Sequence, residues 1–356
     1  MLPTLLVKQN PTTSDQFHFR LSVKNLSVLG LALICICANA QTFQLPTANR
    51  ALLQPGNEEK YFVGTVGKNW VSGTFGSVRS DGWQMHEGID VRCLQRDRKG
   101  EPTDPVLSTA DGVVTYISTK AGLSNYGKYI VIRHQIDGIE VYSLYAHLSE
   151  IAPGLAVGQA VKANQPIAIM GRTSNTHQRI DKDRAHVHFE LNLFYNDHFS
   201  EWFKNTVKER NDHGNWNGQN LGGLDPRLIL LAANRGAGFN LVSWIQGRTE
   251  LCRVLVRKTD FSYVKRYTAL VLSNPVAAQE GVAGYEMSID YNGVPFRIIP
   301  RAASEIKTRS KYELLSVNEE EYRKNPCRKL VTKRGSRWQF TSKGTRLLDM
   351  LTYGGR

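Results

Sequence analysis

The chain has 356 residues, of which 41% are hydrophobic and 22% charged. That is ordinary for a globular protein, long enough for two domains, and excludes a disordered or fibrous chain. A formal charge of +13 and a pI of about 9.5 ask for an anionic partner, and nucleic acid, an acidic membrane surface and an anionic cell-wall polymer all satisfy that demand.

The N-terminus narrows the choice. Arg20 and Lys24 precede an almost unbroken apolar run from Leu26 to Ala38, and Ala38-Asn39-Ala40 offers small residues where a signal peptidase reads. Residues 1–40 are therefore expected to be a secretory signal peptide, cut before Gln41. The run is too short for a span of about 20 residues. Ile34 before Cys35 and Ile36 before Cys37 argue against a lipoprotein cut. Export, to the periplasm or the extracellular space, removes nucleic acid from the candidate partners and leaves no membrane span. It also permits a Cys252–Cys327 disulfide, with Cys93 as a small buried residue.

Residues 41–60 have no clear period and read as a lead-in or tether. Short alternating or apolar runs follow: Tyr61–Val63, Trp70-Val71, Val113–Ile117, Tyr129–Ile132, Val141–Tyr145, Ile167–Met170 and His186–Leu193. Asp111-Gly112, Asp137-Gly138 and Pro153-Gly154 separate them, and Asp137-Gly138 between two β-rich runs predicts a hairpin. The fold class is thus mostly β, an antiparallel domain over 61–233. Within it a short helix is expected around Trp202-Phe203-Lys204. The closing helix starts at Asp225-Pro226, with Asp at the cap and Pro in the first turn. After a linker at 234–238, a smaller α+β unit is expected over 239–356. It carries β-like runs at 251–256, 268–272 and 294–299 and a terminal amphipathic helix over 344–351. Its basic stretches, 307–311 and 328–337, read either as a solvated face or as a hold on anionic wall polymer.

The chemistry lies in two stretches. Gln84 to Val91 holds His86 and Asp90 four residues apart, with Gly88 between them to let the backbone turn tightly. Ala185 to Glu190 holds His186 and His188, which on a strand point to one face while Val187 and Phe189 point to the other. Two imidazoles and one carboxylate from this set suffice for a zinc site with an open position. A third stretch, Ser143 to Ser149, brings His147 to the mouth of a strand.

Over about 71–192 these parts, in this order, resemble the lysostaphin/LytM-type zinc metallopeptidases. Val71–Arg79 resembles that family's entry segment, and His86-Glu87-Gly88-Ile89-Asp90 its first metal motif. Ala110–Val114, Tyr145–Leu148 and Val157–Lys162 resemble its middle, and His186–Glu190 its closing motif. The resemblance implies a zinc endopeptidase that cleaves peptide cross-links of peptidoglycan. It implies that His86, Asp90 and His188 bind Zn2+, and that His147 and His186 are catalytic without being ligands. One imidazole would move the proton of the attacking water and the other would steady the oxyanion. The alternative is a silent wall-binding or regulatory module on the same fold. The chain departs from the family at Met170–Asn175, at Ala163–Gln165 and in a polar insert from Thr176 to Arg184 that contains His177. Those changes bear on which peptide is chosen. Arg79 is expected to contact a substrate carboxylate or to form a structural ion pair. His134, His198 and His213 read as surface or structural.

Overall fold

The computed structural model describes residues 42–79, 84–175, 180–236, 238–325 and 327–355. The expected signal peptide, 1–40, and His177 lie outside the described residues. In chain order the first half has α1 (Glu58–Tyr61), β1 (Val78–Arg79), β2 (Gln84–Met85), β3 (Ile89–Arg92), β4 (Pro105–Leu107), β5 (Gly112–Ser118), β6 (Tyr129–Ile136) and β7 (Ile139–Ala146). It continues with β8 (Glu150–Ile151), β9 (Ala160–Val161), β10 (Pro166–Ile169), β11 (His186–Phe194), α2 (Phe199–Thr206), β12 (Leu221–Leu224) and α3 (Pro226–Ala233).

The main sheet is antiparallel, in the order β12-β11-β7-β6-β5-β9, with β3 on the same edge of β11 as β12. Both faces of this sheet are covered, and strand parity decides which side chain goes where. Ile130 and Ile132 of β6 and Val187, Phe189 and Leu191 of β11 enter the large core. Tyr129 and Val131 of β6, Tyr142 and Leu144 of β7 and Phe194 of β11 enter a smaller aromatic core under Trp216. The β6–β7 turn is Asp137-Gly138 with φ of 50° and 78°, the left-handed pair a two-residue hairpin requires. Helix α3 begins where the sequence predicts: the Asp225 carboxylate accepts from the N–H groups of Arg227 and Leu228, and Pro226 fills the first turn.

The second half adds α4 (Leu241–Gln246), β13 (Cys252–Val256), α5 (Ser262–Arg266), α6 (Pro275–Glu280), β14 (Gly284–Ile289), β15 (Pro295–Arg301), β16 (Tyr312–Val317), α7 (Glu319–Lys324), β17 (Val331–Arg334), β18 (Arg337–Phe340) and α8 (Ser342–Leu351). Its sheet runs β15-β14-β13-β16, and β17 and β18 form a separate hairpin. The halves share one continuous core, and residues 40–356 cluster as one compact unit. The Asn196 amide donates to the carbonyls of Met350 (2.5 Å) and Tyr353 (2.8 Å), and the Asn292 amide to that of Gly223 (2.9 Å).

Several expectations differ from the structure. Tyr61 ends a helical turn, and Trp70–Gly73 and Thr268–Leu270 are single 3-10 turns; short apolar runs carry no period that separates strand from turn. Residues 42–60, expected as a lead-in, bury Phe43, Leu45 and Leu52 in the core and bond along 107–109. The Cys252–Cys327 disulfide is not formed. Cys252 is a free thiol buried on β13, between Ile289 and Val317 of its neighbour strands, whereas Cys327 lies in the loop before β17 beside Arg328. No helix among the described residues is long and apolar enough to cross a membrane.

Candidate metal centre

The pairing of three strands assembles the site. Asp90 of β3 lies directly opposite His188 of β11, and Ala146, the last residue of β7, lies opposite His188 on the other edge. His147 follows in the left-handed region, φ 64°, which turns its ring back toward β11. His86 opens the short link between β2 and β3. Gly88 is required there because a Cβ would sit 2.4 Å from the Phe189 carbonyl oxygen.

His86, Asp90 and His188 are buried, and their facing atoms form a triangle. His86 Nε2 is 3.0 Å from Asp90 Oδ1 and 3.0 Å from His188 Nδ1, and His188 Nδ1 is 3.0 Å from Asp90 Oδ1. These three residues form a group that could hold a metal ion. The opposite ring nitrogens settle how protons are placed. His86 Nδ1 lies 2.9 Å from the Thr74 carbonyl and His188 Nε2 lies 2.8 Å from Glu190 Oε1; both must donate, because both partners only accept. In neutral rings the inner nitrogens therefore carry lone pairs. Two imidazole lone pairs and a carboxylate oxygen then converge on one point, which is stable only around a proton or a cation. A tetrahedral zinc ion with bonds of about 2.0–2.1 Å spaces its donors about 3.3–3.4 Å apart, close to the triangle seen here. The outer hydrogen bonds are of the kind that fix ligating imidazoles.

The surroundings set the charge states. Burial pushes the His86 imidazole down to about 4, against the pull of Asp90. Burial also disfavours charge on His188, but hydrogen bonds to Asp90 and Glu190 and their charges outweigh it and lift the ring to about 9. A proton on His188 Nδ1 can thus occupy the triangle, and a cation would replace it. Burial raises the Asp90 carboxyl, yet His86, His186 and Arg79 hold it well below the usual range. Arg79 donates to Asp90 Oδ2 at 2.6 Å and to the Ser72 carbonyl, so it forms a structural ion pair.

The structure brings the other two predicted histidines to the same place. His186 Nε2 lies 3.4 Å from Asp90 Oδ1, and its Nδ1 lies 2.6 Å from the Arg184 carbonyl. His147 Nδ1 lies 2.9 Å from the Thr173 carbonyl, and its ring centre is 4.9 Å from that of His186 and 5.9 Å from that of His188. Burial and the charges of His186 and His188 hold His147 well below its ordinary value. A groove of about 480 Å3 opens here, lined by His86, His147 and His188 together with Tyr126, Asn175 and His213.

Glu190 stands in the closing motif but receives no role in the sequence reading; its parity with His188 is the signal that puts it on this face. Its Oε1 also accepts from Tyr126 Oη at 2.7 Å, and its Oε2 from the Asn192 amide at 2.9 Å. His134 is buried on β6, between the Asp111 carbonyl and Ser143 Oγ, and is structural. His213 is buried at the groove, 3.0 Å from Tyr116 Oη, and His198 is exposed. Arg328 also lines the groove, which its place in a basic run does not reveal.

Fold and site together are an antiparallel β domain that carries a buried His-Asp-His triangle with two further histidines beside it. Residues 84–200 match the model of Peptidase family M23. Among curated proteins, the chain is similar to DD-carboxypeptidase/endopeptidase Mpg of Neisseria meningitidis, 33% identical over 111 residues, 31% of this chain and 21% of that protein. It is similar to the Lipoprotein NlpD/LppB homolog of Pseudomonas aeruginosa, 34% identical over 122 residues, 34% of this chain and 33% of that protein. It is also similar to Murein hydrolase activator NlpD of Escherichia coli, 35% identical over 106 residues, 30% of this chain and 22% of that protein. The chain thus spans a fifth to a third of the length of these relatives. Among solved structures, the catalytic domain of lysostaphin from Staphylococcus simulans is 26% identical, covering 33% of this chain and 75% of that one with a TM-score of 0.25.

Proposed function

We propose that this protein is an exported, zinc-dependent endopeptidase that hydrolyses peptide cross-links of bacterial peptidoglycan. The observation that carries this reading is the convergence of His86 Nε2, Asp90 Oδ1 and His188 Nδ1 at 3.0 Å from one another, with each imidazole's outer nitrogen occupied by a fixed acceptor. These three residues would hold Zn2+, which when bound supplies Lewis acidity and lowers the pKa of water toward about 7.

The remaining steps belong to this chain's own side chains. His147, held neutral with Nδ1 committed to Thr173, presents Nε2 as the base that takes the proton of the attacking water and returns it to the leaving amine. His186, with Nδ1 committed to Arg184, stands behind it against Asp90 and completes the pair that handles developing charge. The groove wall supplies unused hydrogen-bonding capacity. Ser124 Oγ, Asn175 Oδ1 and His213 Nε2 are buried there without a partner among the described residues, and the amides of an extended peptide would satisfy them.

The relatives named Murein hydrolase activator NlpD favour a second reading, a non-catalytic regulator of murein hydrolases. The complete donor set argues for the enzyme. Digestion of purified peptidoglycan, read by mass spectrometry beside His188→Ala, tests the choice. Fragments that vanish with the variant support the peptidase. No release from a zinc-loaded, folded protein transfers the reading to the activator.

A further inference from the structure

The groove over the triangle does not end at the family segment. It runs on into a second cavity of about 350 Å3, and Gln84, Glu87, Gln219 and Arg328 line both. The far wall comes from the second half of the chain: Arg328 before β17, and Lys343 and Arg346 of α8. Building on the peptidase reading, we infer that these three cations form a subsite that takes a free carboxylate of the peptide substrate, beside the bond being cleaved.

Two of the cations are held in place. Arg328 donates through Nε to Asn292 Oδ1 at 2.9 Å, and the Asn292 amide donates in turn to the Gly223 carbonyl on β12. Gly223 is constrained at that crossing, since a Cβ would lie 3.1 Å from the Glu87 carbonyl oxygen and 3.2 Å from Asn292 Nδ2. The second half thus delivers Arg328 next to Glu87, the neighbour of His86, and its Nη2 is still 3.8 Å from Glu87 Oε1. That separation is too long for a close hydrogen bond and leaves the fork able to turn to a better acceptor. Arg346 lies over the Trp202 ring at 5.6 Å and gives Nη2 to Gln219 Oε1 at 3.2 Å. These contacts orient the guanidinium while leaving N–H donors over.

The acidic groups on these walls are Glu87 and Glu209, against the three cations here and Arg79, which is spent on Asp90. The balance suits a single carboxylate better than a dianion. Leu330, Leu347 and Met350 line the same cavity and would take the aliphatic part of the arm that bears it. The subsite would make the second half a selector of substrate.

The test uses the zinc-loaded protein carrying His147→Ala, so that peptide survives, and a synthetic cross-linked stem peptide with its free carboxylates or with the same groups as carboxamides. Calorimetry is expected to give about tenfold tighter binding of the carboxylate form, the worth of one hydrogen bond between charged groups. Arg328→Gln and Arg346→Gln should each remove most of that preference. Lys333→Gln, on the β17–β18 hairpin and paired with Glu319, should keep it. Arg346 is exposed, so its variant reports on the subsite even if Arg328→Gln disturbs the Asn292 contact. Equal binding of the two peptides, a preference that survives both arginine variants, or no binding of either peptide overturns the inference. Cleavage of the same peptides by the unmodified protein decides the peptidase reading separately.

Discussion

Replacing Glu190 by glutamine isolates the charge behind the metal triangle. The carboxylate is buried, and its two oxygens accept from His188 Nε2, Tyr126 Oη and the Asn192 amide. Glutamine keeps the shape and one acceptor oxygen. Its new NH2 would face the Asn192 NH2, but Asn192 Oδ1 has no hydrogen-bond partner among the described residues, so a flip of that amide restores the pair. The fold should therefore survive, and the loss falls on His188. Its outer N–H goes from a charge-assisted to a neutral hydrogen bond, a difference of about 1–2 kcal/mol. The Tyr126 bond is the same with and without an ion and cancels. Zinc affinity should fall about tenfold, the lower end of what partners behind a metal ligand contribute. The size depends on pH in a defined direction. At pH 7 the ion displaces a proton from His188, whose pKa is about 9, and removing Glu190 weakens that proton's hold as well. The two losses offset each other near neutrality, so the deficit should widen at pH 9 and above, where proton competition fades. A zinc titration against a chromophoric chelator at pH 7 and pH 9.5 reads both. Wild-type affinity at pH 9.5 in a folded Glu190→Gln protein would refute the assignment of His188 as a ligand backed by this carboxylate.

Three further outcomes are expected. His147→Ala should lower kcat about 10²–10⁴-fold with zinc content retained, and a fall of less than about threefold would remove it as the base. For His134, burial lowers the imidazole from 6.5 to about 4, so its contribution is fully present above pH 6.5 and is lost as pH falls toward 4, where the unfolded chain takes a proton that the folded one refuses. Those 2.5 units amount to about 3 kcal/mol, so His134→Gln should shrink the difference in unfolding free energy between pH 7 and pH 4 by that amount, measured by urea titration; an unchanged difference contradicts it. Gly88→Ala forces a Cβ onto the Phe189 carbonyl and should push β3 from β11, costing about 1–3 kcal/mol and separating Asp90 from His188. A lowered melting temperature with substoichiometric zinc is the expected result, and wild-type values for both would contradict it.

What the sequence reveals and conceals here follows from the range of the forces involved. Strand parity is local, so His186 and His188 can be assigned to one face from spacing alone, and their alternation survives into β11 with Val187 and Phe189 in the opposite core. Turn chemistry is equally local, which is why Asp137-Gly138 and the Asp225 cap are legible. Short apolar runs are not: Trp70–Gly73 and Thr268–Leu270 bury hydrophobic groups as well as a strand would, and only their tertiary setting makes them turns. The strand β14 is hidden for the converse reason, since Glu286 and Ser288 interrupt its apolar pattern and are buried against Arg301 and Glu250. Arg328 is the sharpest instance. In sequence it opens a basic run that resembles any solvated face, and no periodicity connects it with His86, more than two hundred residues earlier. The connection is made by Asn292, which bonds β12 with one end of its amide and Arg328 with the other. A site whose metal triangle is written in two short motifs can therefore have its substrate wall supplied by a part of the chain whose sequence gives no sign of it. If this protein is the proposed peptidase with the proposed subsite, variants at Arg328 and Arg346 should change substrate choice while leaving the metal triangle intact.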